Sequence, residues 1–89
     1  MRQVRFKPRC VRDLENVRKR NLNESRLYET LNILMNEGRL PMQFRPHKLS
    51  GKYAGLWECH VASDWLLVYD ITETEVIVYR TGSHTDLFE

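Results

Sequence analysis

The sequence lacks the features that would place it in a membrane or in a secretory pathway. Its 89 residues contain no apolar run near the roughly 20 residues that a membrane-spanning helix needs. The opening residues, MRQVRFKPRC, have neither the apolar stretch nor the small-residue cleavage site of a signal peptide. We therefore expect a cytoplasmic protein that has no membrane partner.

Cysteine is scarce, with Cys10 and Cys59 alone. Without a secretory signal, we expect the two to remain reduced thiols that behave as small apolar side chains, rather than to form a disulfide. The sequence contains no C-x-x-C pair and no cysteine–histidine spacing typical of structural zinc. It thus predicts neither a disulfide framework nor a zinc centre of that kind.

The net charge of +2 hides an uneven distribution. Residues 1–48 hold twelve Lys and Arg against five Asp and Glu, whereas residues 49–89 hold two against seven. A basic half on so small a protein suits a polyanionic partner such as a nucleic acid, although a solvated helix surface has a similar composition. Charge alone leaves these two interpretations open.

The apolar pattern predicts one α+β domain that spans residues 1–89. QVRFKP alternates like a half-buried strand, and two stretches of helical spacing follow, the first after Pro8 and the second ending at Gly38. After a long connection, LWECHV, DWLLVYDI and EVIVYRT predict three strands, whose close spacing favours an antiparallel meander. The predicted order is β-α-α-β-β-β, with the two helices forming a hairpin on one face of the sheet.

Five side chains that can exchange protons or carry charge converge in this arrangement. His47 lies in the long connection, His60 near the end of the first meander strand, and His84 just after the last. Alternation puts His60 on the face away from the helices. Asp64 begins the next strand, and antiparallel pairing brings Arg80 to the same end of the sheet. We predict that these side chains meet at one end of the open sheet face.

Such a set matches the chemistry of RNA cleavage. A base removes the 2′-hydroxyl proton, an acid protonates the departing 5′-oxygen, and a cation offsets charge on the phosphorane. Histidine suits the first two roles near neutral pH, and arginine suits the third. Aromatic rings beside the site can stack on bases, and the candidates are Trp65, Tyr69 and Phe88, although Trp65 suits the core equally well.

Structural interpretations of the same residues remain open. Arg80 could pair with Asp64 or Asp86, and Phe88 could pack on the sheet as a C-terminal plug. His47 and His60 could be ordinary loop and surface residues. A metal site built from the three histidines and Asp64 ranks below metal-free acid–base chemistry, because no two of the histidines have short-range ligand spacing. The convergence, rather than any one residue, favours catalysis.

Three segments of the second half resemble a known family. PHKLSG, HVASDWLLVYD and YRTGSHTDLF follow one another as in the YafQ branch of the RelE/ParE superfamily of bacterial toxins, and the likeness covers essentially the whole chain. The resemblance implies a RelE/ParE-like fold, in which an N-terminal αα-hairpin packs on one face of an antiparallel sheet. It also implies a ribosome-dependent endoribonuclease of a type II toxin–antitoxin system, which cleaves mRNA in the decoding site without a cofactor.

The resemblance also implies roles for individual residues. The family's catalytic positions fall on His47, His60, Asp64 and His84. Its phosphate-binding arginine and terminal aromatic fall on Arg80 and Phe88. Contact with the ribosome is assigned by analogy to the basic residues Arg18, Lys19 and Arg20. No motif position is substituted, so the sequence gives no sign of an inactive member.

The implied partners are a cognate antitoxin, the ribosome with its rRNA, and mRNA. We expect the free toxin to be monomeric and its complex with the antitoxin to be larger and to bind operator DNA. A gyrase-poisoning toxin or a non-catalytic nucleic-acid-binding regulator remains an alternative, because the superfamily's fold supports more than one function. The histidine set discriminates between them, since a protein that only binds does not need it.

Overall fold

A computed structural model describes residues 1–88 and confirms the predicted α+β class and the order of the main elements. The helices are α1 (Pro8–Lys19), α2 (Glu24–Glu37) and α3 (His84–Phe88); the strands are β1 (Gln3–Phe6), β2 (His47–Lys48), β3 (Trp57–Ala62), β4 (Trp65–Ile71) and β5 (Glu75–Gly82). They form one five-stranded sheet in the order β1-β5-β4-β3-β2. All neighbours are antiparallel except β1 and β5, which pair in parallel. The two-residue β2 and the short α3 were not predicted.

The ends of α2 follow from side-chain and backbone capping. Asn23 caps its start, with the side-chain Oδ1 accepting the Ser25 N–H at 3.1 Å. Gly38 ends it in the left-handed conformation (φ 74°) and donates its N–H to the Leu34 carbonyl. A Cβ at Gly38 would lie 2.8 Å from the Arg2 guanidinium, the end of a flexible side chain that can move aside, so the left-handed backbone is what favours glycine here.

The core lies between the helices and one face of the sheet. Its buried residues are Cys10, Val17, Leu27, Leu31, Leu34, Leu40, Cys59, Val61, Trp65, Leu67, Tyr69, Val76 and Val78. Both cysteines are free thiols inside it, and burial raises the pKa of Cys10 to about 12. A smaller apolar cluster of Leu66, Val68 and Leu87 lies on the opposite face, where α3 packs. None of the helices in residues 1–88 has the length and apolar character that crossing a membrane requires.

A buried ion pair fastens α1 to the free edge of β5. β1 pairs only with the first half of β5, so the backbone beyond Val78 needs other partners. Asp13 of α1, only 3% exposed, accepts the Thr81 N–H at 3.1 Å. The same carboxylate accepts from Arg80 Nε at 2.7 Å and Nη2 at 3.2 Å, and from Arg9 at 2.7 Å. The Asp13 carboxylate therefore supplies Thr81 with the acceptor that a neighbouring strand would otherwise provide.

Candidate active site

The sheet face opposite α1 and α2, here called the outer face, carries the candidate residues. Since Cys59 and Leu67 point into the core, Glu58 and His60 on β3 and Leu66 on β4 point outward. His60 lies opposite Leu66, which in turn lies opposite Gly82 at the end of β5. The predicted outward position of His60 is thus confirmed, and one row of residues leads from it to the start of α3.

α3 is held in place by a capping box and by α1. The Ser83 N–H donates to Asp86 Oδ2 at 2.9 Å, and the Asp86 N–H donates to Ser83 Oγ at 3.1 Å. Arg20, at the end of α1, adds a bidentate pair to the same carboxylate at 2.6 and 3.1 Å. The Arg20 guanidinium, followed by the Ser83 N–H, holds the pKa of Asp86 well below its usual range. A charged Asp86 therefore links the α1 end to the helix that carries His84.

Three of the predicted residues meet at this end of the outer face. The His84 N–H donates to Asp64 Oδ1 at 3.1 Å. The His84 imidazole lies with its centroid 5.1 Å from that of Phe88, one turn further along α3. The ring of Tyr53 also contacts Phe88, edge-on, with a centroid distance of 5.6 Å. Asp64 and His84 are exposed, and Phe88 is half-buried. The group is therefore open to a substrate.

His47 belongs to a second group, at the β2–β3 edge. Its Nδ1 lies 3.0 Å from the Arg45 carbonyl, and its Nε2 lies 3.2 Å from Glu58 Oε1. Because the carbonyl only accepts, Nδ1 must carry a hydrogen, and Nε2 is left to share a proton with the Glu58 carboxylate. Glu58 is only 6% exposed, and its Oε2 has no hydrogen-bond partner within residues 1–88.

Glu58 is a site residue that the sequence reasoning missed. Its signal was present, since Glu58 and His60 are two residues apart on one strand and so share a face. His60, half-buried, connects the two groups: it is next to Glu58 along β3, and its row across the sheet ends at Gly82, two residues before His84. The site is therefore an arc along the outer face, with His47 and Glu58 at one end and His84 at the other.

Arg80 is not a free cation, and the structure does not fit its predicted role as a phosphate ligand. It is 9% exposed, and its bidentate bond to Asp13, which uses the Nε and one Nη2 hydrogen, raises its pKa. Nη1 donates to the Tyr53 hydroxyl at 3.1 Å, which in turn donates to the Leu87 carbonyl at 3.3 Å. Nη2 reaches the Asp86 carbonyl at 3.4 Å. Arg80 therefore fixes the position of α3.

Trp65 and Tyr69 are corrected from candidate base-stacking residues to core residues. They are 3% and 2% exposed and lie on the helix-covered face of β4. Trp65 Nε1 donates to Thr81 Oγ1 at 2.8 Å, and burial raises the pKa of the Tyr69 hydroxyl above its usual value. A base cannot reach either ring, so Phe88 is the candidate that remains on the outer face.

The three basic residues at the end of α1 differ in how strongly they are paired with carboxylates of the same chain. Arg20 is committed to Asp86, as described above. Arg18 makes a looser ion pair with Glu24 at 3.4 Å, and Lys19 is exposed. Arg18 and Lys19 are therefore the part of this group that can bind another molecule without disturbing α3.

The described residues hold no preformed metal centre. Across residues 1–88, no three His, Cys, Asp or Glu side chains lie close enough together to ligate one ion. Asp64 approaches His84 through the backbone N–H rather than through the ring, and His47 is paired with Glu58. What the arrangement offers is pairs of acid–base groups.

Comparison with known proteins places the chain. Residues 2–89 match the model of the family described as bacterial toxin of type II toxin–antitoxin system, YafQ. The mRNA interferase toxin YafQ of Escherichia coli K12 is 30% identical over 88 residues, covering 98% of this chain and 96% of that protein.

Two solved structures extend the comparison. The E. coli DinJ–YafQ complex contains a chain with a TM-score of 0.88, 28% identity and full coverage of both chains. A metal-bound toxin from Helicobacter pylori has a TM-score of 0.88 and 31% identity, covering 99% of this chain and all of that one. The family match over nearly every residue and the shared fold lead to one conclusion: the chain belongs to the YafQ family of toxins of type II toxin–antitoxin systems.

Proposed function

We propose that the chain is a ribosome-dependent endoribonuclease that cleaves mRNA by attack of a 2′-hydroxyl on the adjacent phosphate. The observation that carries the proposal is the contact of Asp64, His84 and Phe88 at one open end of the sheet. The relative from E. coli, named an mRNA interferase, supports the same reaction. A protein that only bound nucleic acid would have no use for a carboxylate and an imidazole held at the same end of the sheet.

The geometry suggests a division of labour. His84, exposed on α3, serves as the general acid for the leaving 5′-oxygen. Asp64 and His60, on the adjoining strands, handle the 2′-hydroxyl. His47 supports them through its bond to Glu58, and Phe88 offers a face to a base. Arg80 acts as a positioning residue, because its guanidinium is paired with the Asp13 carboxylate.

The partners follow from the activity and from the charge distribution. The substrate of the proposed reaction is mRNA held on the ribosome, and the basic first half of the chain faces rRNA. A cognate antitoxin silences the free toxin, as the DinJ–YafQ complex of E. coli suggests. We expect the free toxin to be monomeric, to act in the cytoplasm, and to form with its antitoxin a larger complex that binds operator DNA.

The proposal is tested with the purified chain and three substrates. mRNA bound to programmed ribosomes is cut, free mRNA is spared, and gyrase-catalysed supercoiling of a plasmid is unchanged. Inhibition of supercoiling with intact mRNA would instead favour a gyrase poison. Binding to nucleic acid without either effect would favour a regulator. Expression of the chain without its antitoxin arrests growth if it is a toxin.

Charge reversal at Arg18 and Lys19 is expected to weaken ribosome binding. Arg20 stays unchanged in this variant, because its reversal would break the bond to Asp86 and displace α3. Each phosphate contact that is lost lowers the slope of log affinity against log salt by about 0.7–0.9. The measurement is ribosome co-sedimentation over a range of salt concentrations.

The matched control reverses two exposed arginines outside α1, at Arg5 and Arg39, and so changes the net charge equally. It should bind more tightly than the Arg18→Glu, Lys19→Glu variant. Equal binding of the two variants would show that the end of α1 is only a solvated surface.

Chelation is expected to leave cleavage intact, because the proposed site uses side-chain acids and bases. The assay compares the cleavage rate with and without EDTA, at a free magnesium level that keeps ribosomes assembled. The H. pylori toxin that binds metal makes this comparison necessary. Loss of activity in EDTA that zinc restores would contradict a metal-free mechanism.

A further inference from the structure

An open cavity of about 750 Å³ lies beside His60 and has no role in the site described so far. It exists because β2 pairs only with the first two residues of β3, which leaves the rest of that strand as an edge. The start of α2 and the turn at 42–45 form the other walls. The lining residues include Arg26, Glu29, Gln43, Phe44, Arg45 and His60. Cavities of about 300–1,000 Å³ commonly hold small ligands.

Two arginines that line the cavity have no anionic partner among residues 1–88, unlike the two arginines that hold α3 in place. Arg80 and Arg20 are each bound bidentately by a carboxylate. Arg26 and Arg45 are exposed, and neither forms an ion pair with any residue among 1–88. One carboxylate, that of Glu29, stands among the lining residues against these two guanidinium groups. Planar guanidinium groups bind phosphate oxygens well.

The backbone at Arg45 connects this cavity to the arc of candidate residues that begins at His47. Arg45 adopts the left-handed conformation (φ 51°), which is unfavourable for a residue with a side chain and is common at functional sites. Its carbonyl accepts a hydrogen bond from His47 Nδ1, and Arg45 is also one of the residues that line the cavity. Phe44, half-buried, adds an aromatic surface, and Gln43 adds an amide. One strained turn therefore positions both His47 and the cavity wall.

We propose that the cavity binds one nucleotide of the mRNA, the one on the 5′ side of the cut, and so contributes to the choice of codon. The inference rests on the proposed function. In the proposed reaction His84 serves the leaving 5′-oxygen and His60 the attacking 2′-hydroxyl. Because His60 also lines the cavity, the nucleotide that carries this hydroxyl lies on the cavity side. Arg26 and Arg45 bind its phosphate. Phe44 packs against the base, and the Gln43 amide, with both donor and acceptor groups, reads the base edge.

Binding is tested apart from cleavage with a 2′-O-methyl RNA hexanucleotide, which has no 2′-hydroxyl to attack. In ¹⁵N-resolved NMR titrations, amide shifts are expected at Gln43, Arg45 and Ser63. The Arg26→Ala, Arg45→Ala variant should bind about tenfold or more weakly, as befits two lost phosphate contacts. The control, Arg5→Ala, removes an exposed arginine from β1 at the opposite edge of the sheet and should bind like the wild type.

A second readout uses cut-site maps on ribosomes. Gln43→Ala should redistribute cleavage among codons, while His84-dependent cleavage persists. Shifts confined to Asp64, His84 and Phe88, or no shifts at all, would overturn the inference. The same follows if an acidic antitoxin peptide occupies the cavity and the hexanucleotide does not. In each of these cases, cleavage of mRNA on ribosomes would leave the proposed function standing. If no mRNA is cut although the hexanucleotide binds in the cavity, the nuclease is contradicted, together with the assignment of this nucleotide to the 5′ side of a cut, but the nucleotide site is not.

Discussion

Replacement of His84 by alanine is expected to lower the single-turnover rate of mRNA cleavage by about 10² or more. The imidazole of His84 is exposed, and the His84 backbone N–H is held by the Asp64 carboxylate. Its loss leaves the departing 5′-oxygen without a proton donor, which at tenfold per 1.36 kcal/mol corresponds to at least about 2.7 kcal/mol of barrier. Ribosome affinity should hardly change, since the basic residues of α1 are untouched.

A 5′-thio leaving group separates the acid from the base. Sulfur departs without protonation, so this substrate should restore the rate of His84→Ala. Asp64→Ala, which impairs the other side of the reaction, should stay slow. The assignment of acid and base is wrong if both variants are rescued equally or if neither is.

Replacement of Asp13 by alanine should lower the free energy of unfolding by about 3–5 kcal/mol. The substitution leaves the buried Arg80 guanidinium without its counter-charge and the Thr81 N–H without an acceptor. Small domains have only about 5–15 kcal/mol in total, so the variant should unfold at a much lower urea concentration. Equilibrium urea denaturation followed by tryptophan fluorescence measures the change.

Two further variants isolate the buried charge. Asp13→Leu combined with Arg80→Met removes both charges and should recover most of the loss, though not all, because the Thr81 N–H stays unpaired. Arg9→Ala removes only the outer, half-exposed partner of Asp13 and should cost less than about 1 kcal/mol. If Asp13→Ala costs no more than Arg9→Ala, the ion pair does not hold α1 to β5.

The sequence was sufficient for the larger elements and for the direction of His60, because alternation and helical spacing are strong in those stretches. The short α3 was missed, although SHTD at residues 83–86 is a capping-box pattern. A helix of five residues has too few turns to show a period. β2, with two residues, owes its pairing to tertiary contact with β3 and leaves no pattern of its own.

The environments of Trp65, Tyr69 and Arg80 could not be read from the sequence for related reasons. β4 is central and apolar on both faces, so its alternation does not reveal which face the helices cover. The partner of Arg80 is Asp13, 67 residues earlier in the chain, and no local spacing announces such a pair. Only the fold decides whether an arginine in such a motif faces the substrate or forms a buried ion pair that positions a neighbouring helix.

The most direct test of the account maps cleavage positions and end chemistry on mRNA in actively translating ribosomes, with the wild-type chain and His84→Ala side by side. We predict cuts in the codon held in the decoding site, 2′,3′-cyclic phosphate ends on the upstream fragment, and loss of nearly all cuts in the variant. Equal cleavage by the two proteins, or cuts scattered over ribosome-free RNA, would contradict a ribosome-dependent nuclease built around His84.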